Sequence, residues 1–121
     1  MKHLRLFAFL QLLALALLLS GCGQGAPKVT ETDNKAFETA SPELKQNWAQ
    51  SQAAASTNDY TTALVTLRSM LAQNLSIEQI EAVQNAMRAC NAKLMKAVEK
   101  GDPAAQKAFE ALKSSSGRGA P

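Results

Sequence analysis

The chain of 121 residues is poor in the residue types that most reactions and metal sites require. It has one histidine, His3, and two cysteines, Cys22 and Cys90. Imidazole is the commonest general base near neutral pH and the commonest zinc ligand, so a lone histidine at the extreme N-terminus leaves neither a base nor a zinc set to build. There is no glycine-rich phosphate loop, no serine-nucleophile motif and no metal-ligand spacing. No segment alternates apolar with polar residues or gathers β-branched ones, as strands do. These absences predict an all-α, non-catalytic protein with no metal and no bound cofactor.

What is present begins at the N-terminus. Met1 to Arg5 carries Lys2 and Arg5 with no acid, and Leu6 to Leu19 is an apolar run broken only by Gln11. A bilayer span needs about 20 apolar residues, so this run is too short to cross, but it suits the apolar centre of an export signal. The run ends in Leu19-Ser20-Gly21-Cys22. That motif resembles the bacterial lipobox: an aliphatic residue, two small residues that let a peptidase approach, and a cysteine whose thiol receives the lipid. The resemblance covers residues 1–22. It implies cleavage after Gly21, covalent diacylglycerol and acyl chains on Cys22, and attachment to a membrane of the bacterial cell envelope. Gly23, where inner-membrane retention uses aspartate, implies the periplasmic face of the outer membrane in a Gram-negative cell.

Cleavage changes the balance of charge. The formal net charge of +3 comes from thirteen basic and ten acidic residues. Lys2 and Arg5 leave with the signal, so eleven bases remain against ten acids, and nucleic acid is not an expected partner. His3 leaves as well. A lipidated Cys22 forms no disulfide, so Cys90 is expected to be a free thiol.

Residues 22–40 are polar, lack periodicity and read as a flexible tether of roughly 25 Å reach. Phe37 is their one large apolar residue, the position from which the tether can fold back onto the domain. From Ser41 onward helical punctuation appears. Ser41-Pro42-Glu43, Asn58-Asp59, Ser76 with Gln79, and Asp102-Pro103 are N-terminal caps, and Gly101 is a C-terminal one. They bound four helices at about 41–56, 59–73, 77–100 and 103–114, expected as a small bundle of antiparallel neighbours. The first stripe is Leu44, Trp48, Ser51 and Ala55. The second is Tyr60, Ala63, Leu64, Leu67 and Leu71, widened by Val65 and Met70. The third is a seam of Ile80, Val83, Met87, Cys90, Leu94 and Ala97, broadened by Ile77 and Val98. Ala105, Ala108, Phe109 and Leu112 face inward on the fourth. Residues 115–121 read as a disordered Ser/Gly tail.

Ser51, Asn58-Asp59-Tyr60, Ala63, Leu67 and Leu71 place a small residue at the helix crossing and Asp-Tyr at the turn. Residues 46–75 thereby resemble a single tetratricopeptide-type hairpin, which implies peptide or protein binding. Leu75 stands where that family closes its repeat with proline, and the third helical pattern runs on unbroken. A lone hairpin is therefore expected, not an array.

Charge is uneven along the chain. Residues 22–87 hold four bases and seven acids, whereas residues 88–121 hold seven bases and three acids. Arg88, Lys93, Lys96, Lys100, Lys107 and Lys113 form the candidate contact patch, although cations near a helix C-terminus also complement its dipole. Glu78 and Glu81 lie in the first turns of a helix, where acids do the same.

The sequence thus predicts a lipid-anchored helical module that contacts a protein partner or itself. The alternative is a binder of anionic envelope polymer through the basic half. Cys22→Ser should abolish incorporation of a metabolic acyl label and release the chain from the membrane fraction. Retained label in that variant would overturn the anchor.

Overall fold

Helix starts in this chain are set by side chains that accept the first free backbone N–H groups. A computed structural model describes residues 27–117, and five helices lie among them, with no strand. They are α1 (Glu31–Lys35), α2 (Pro42–Ser56), α3 (Tyr60–Leu71), α4 (Ile77–Glu99) and α5 (Pro103–Gly117). Ser41, Asp59 and Ser76 each accept the backbone N–H three residues on. Ser76 and Gln79 complete a reciprocal box, in which Gln79 Oε1 accepts the Ser76 N–H at 3.0 Å.

The turns after α2 and α4 share one design. Asn58 (φ 62°) and Gly101 (φ 79°) take the left-handed conformation. The N–H groups of Asp59 and Asp102 then reach back to the carbonyls of Ala54 and Ala97, which closes each helix end. Asparagine tolerates this geometry and glycine adopts it freely.

Packing follows chain order. Helix α3 lies against α2, α4 and α5, and α1 lies against α4. The buried residues form two clusters. One joins Phe37, Leu44 and Trp48 to Leu67 and Met70 of α3 and to Ala82, Val83 and Ala86 of α4. The other joins Ala54 to Tyr60, Ala63 and Leu64 of α3, Cys90 and Leu94 of α4, and Ala105 and Leu112 of α5. The halves of α2 and α4 alternate between clusters as antiparallel neighbours of α3 must. Among the described residues no buried member of either cluster precedes Phe37, and Val29 and Ala36 pack against the first.

The described part of the tether, residues 27–40, is not a free spacer. Thr30 and Asp33 cap each other's backbone and start α1. Phe37 is 3% exposed and stacks on Trp48, with ring centroids 4.5 Å apart and planes 16° from parallel. The Trp48 indole N–H donates to Asn34 Oδ1 at 3.0 Å. Asn85 of α4 donates to the Lys28 carbonyl at 2.7 Å and to the Asp33 carboxylate at 2.6 Å, and Gln79 donates to the Ala36 carbonyl at 3.1 Å. Burial of an aromatic ring and four hydrogen bonds outweigh the entropy that kept the segment looking like a spacer.

Three further expectations shift. Helix α5 continues to Gly117, because Ser114, Ser115 and Ser116 turn their hydroxyls back onto the carbonyls of Ala111 and Leu112. On α4 the buried face is Ala82, Val83, Ala86, Cys90 and Leu94, while Ile77 and Ile80 stand in water. Small alanines, not the larger isoleucines, face α3, so the helices approach closely. On α2 and α3 the buried positions are Ala54 and Met70, whereas Ala55 is half-buried and Leu71 and Val65 are exposed. The signal, Cys22 and residues 118–121 lie outside the described residues.

Phe37→Ala should cost about 3 kcal/mol of unfolding free energy in urea, the range for emptying a buried aromatic site. A change below about 0.5 kcal/mol, the size typical of a surface substitution, would show the segment to be a loose tether.

Candidate functional site: a groove between α2 and α4

Helix α3 packs against both α2 and α4, whereas α2 and α4 meet each other little. The faces they turn towards each other carry small residues. Ala55 and Ser56 lie on α2, and Ala86, Ala89 and Ala92 lie on α4. Alanine cannot fill the space between separated helices, so a groove of about 540 Å³ remains. Leu67 of α3 and Cys90 lie at its floor, and Pro27, Lys28 and Val29 close one end. The bond from Asn85 to the Lys28 carbonyl fixes that closure.

The rim is cationic. Lys28, Lys93 and Lys96 line the groove, and among the described residues no carboxylate does. The Lys93 ammonium donates to the Ala55 carbonyl at 3.1 Å, where a cation complements the C-terminal end of α2. An ammonium has three donors, so two remain for other partners.

The six predicted contact cations do not form one patch. All are exposed. Lys93 and Lys96 lie on the groove, and Lys100 follows them on the same α4 face, the three within about 60° at 100° per residue. Lys113 instead lines a smaller cleft of about 290 Å³ on the other flank of α4, with Arg68, Met95 and Phe109. Arg88 and Lys107 line neither. Lys28, absent from the predicted patch, reaches the rim because the segment before α1 folds back. Among the described residues no three metal-ligating side chains come together, and no helix is long and apolar enough to cross a membrane. Cys22 lies outside the described residues.

Cys90 is buried, and burial pushes its thiol pKa up, opposed in lesser part by Lys93. Such a thiol is a poor nucleophile. Burial likewise raises Tyr60, with smaller contributions from Asp102 and Cys90. Ser51, fully buried in α2, is satisfied by donating to the Trp48 carbonyl at 2.7 Å. The groove thus offers apolar surface and positive charge, with no activated group.

No protein-family model, curated protein or solved structure matches the chain.

A group whose pKa is raised by folding holds its proton more tightly in the native state. Its contribution is complete below the unfolded pKa and is lost as pH rises through the native value. The ordinary values are 9.0 for the thiol and 10.0 for the phenol. The urea midpoint should therefore stay level up to about pH 8 and fall above about pH 9. Cys90→Ala should remove the earlier part of that fall. A midpoint that does not decline in alkali would contradict the burial of both groups.

Proposed function

We propose that the chain is a lipid-anchored, non-catalytic helical module of the bacterial cell envelope. It binds a protein partner, or a second copy of itself, through the α3–α4 end of its bundle. The observation that carries the contact is Ile77, which is 72% exposed. Ile80, one turn on, and Leu71, at the near end of α3, are exposed as well. Single surface apolar residues are ordinary, but large ones gathered at one end of a small domain mark an interaction surface. The anchor rests on Leu19-Ser20-Gly21-Cys22 and the signal before it. Gly23 favours the periplasmic face of the outer membrane in a Gram-negative cell. The hairpin of α2 and α3, with fully buried Ser51 and Ala63 between them, supports the tetratricopeptide-like reading of residues 46–75.

A second reading rests on the α4 face that carries Lys93, Lys96 and Lys100. Acting with Lys28, it would hold anionic envelope polymer through long-range attraction that weakens with salt.

Cross-linking of the full-length protein in cells, followed by mass spectrometry, separates the two. A discrete captured species, lost in Ile77→Ser/Ile80→Ser and in Cys22→Ser, is the expected result. No captured protein, with the chain still on the membrane and pelleting with cell-wall material at low salt, would transfer the function to polymer binding.

A further inference from the structure

We infer that the groove between α2 and α4 is a binding site for one long acyl chain with an anionic head, a free fatty acid in its simplest form. The site is distinct from the α3–α4 end assigned to protein contact, and it does not depend on the anchor.

Its floor carries the argument. Val29, Ala55 and Ala89 present apolar atoms over the buried Leu67, Ala86 and Cys90, and the main chains of α2, α3 and α4 spend most of their N–H and C=O groups inside their own helices. An extended peptide laid there would lose water from its backbone and find few partners in return, which is costly. A hydrocarbon chain loses nothing of the kind. Alanine-lined walls suit its narrow cross-section, and the volume of about 540 Å³ lies within the range of small-molecule sites.

The rim chooses the head group. Among the described residues three lysines and no acid border the opening. Lys28 sits there because its own carbonyl is tied to Asn85, so it is a fixed part of the closure. Lys93 is steadied at the end of α2 with two donors still free. A carboxylate at the end of an acyl chain meets both features at once: the chain leaves water along the floor and the head remains at the charged mouth.

The test uses residues 23–121 produced without lipid, a span that contains every described residue of both core clusters. Parinaric acid, an 18-carbon fluorescent fatty acid, is titrated below its micellar concentration and then displaced by competitors. Saturable one-to-one binding is expected. Palmitic acid should displace it at least about tenfold better than decanoic acid, because each buried methylene adds to affinity. Ala89→Trp, which fills the floor, should abolish binding while the urea midpoint and helical circular dichroism persist. Ala92→Phe serves where that variant fails to fold. Lys28→Glu/Lys96→Glu should weaken palmitic acid roughly tenfold, consistent with two partly exposed charge contacts, and leave its neutral methyl ester unchanged. The inference is overturned if binding does not saturate, survives both floor variants, or is equally tight for acid and ester. Displacement by an acidic peptide but not by palmitic acid would overturn it too. Binding to anionic vesicles alone, indifferent to Ala89→Trp, would assign the lysines to a membrane surface instead.

Discussion

Burial of one face of α3 is the constraint on which the rest of this molecule depends. Tyr60, Ala63, Leu64, Leu67 and Met70 supply apolar side chains to both core clusters, as α4 also does, and α3 packs against α2, α4 and α5 together. Twelve residues cannot form a stable isolated helix in water, so α3 persists only while its neighbours cover it. Helix α2 covers one side, α4 another, and α5 the remainder. The groove follows from the same arrangement. Two helices that pack on a common third, through small residues, are held near each other with little direct contact beyond the bond from Lys93 to the Ala55 carbonyl.

The segment before α2 completes this arrangement. A core of so few large side chains is marginal on its own, and the stacking of Phe37 on Trp48 extends it at the end where α2 begins. Polar groups align the segment. Asn34, Asp33 and the carbonyls of Lys28 and Ala36 pair with Trp48, Asn85 and Gln79. Gln79 serves twice, capping α4 through one atom and holding the strap through another. The same strap carries Lys28 to the groove, so a stabilising contact also builds part of the candidate site.

Much of the helical plan was legible because caps are local chemistry. Ser41-Pro42, Asp59, Ser76 with Gln79, and Gly101 act on backbone groups within a few residues, and sequence spacing reports them faithfully. Which face of each helix is buried was less legible. Ranking by size favoured Ile80 over Ala82, yet close helix packing selects the smaller residue, and the difference is set by a neighbour distant in sequence. Helix α1 escaped because five polar residues show no periodicity, although Thr30 and Asp33 spell its capping box. Ser115 and Ser116 read as the start of a tail, but each satisfies its hydroxyl on the Leu112 carbonyl one turn back in α5. The six basic residues were adjacent only in sequence; the helical turn sends them to different flanks of α4 and onto α5. The groove itself was invisible, since it consists of what alanines leave empty.

Native-state hydrogen exchange tests the central role of α3 most directly. If its burial holds the bundle together, the amides of Leu64 to Met70 exchange slowest of all, only through global unfolding, because no smaller opening exposes them. Faster exchange in α3 than in α4, with α4 retaining protection after α3 has opened, would show that the long helix is the stable element and contradict the account.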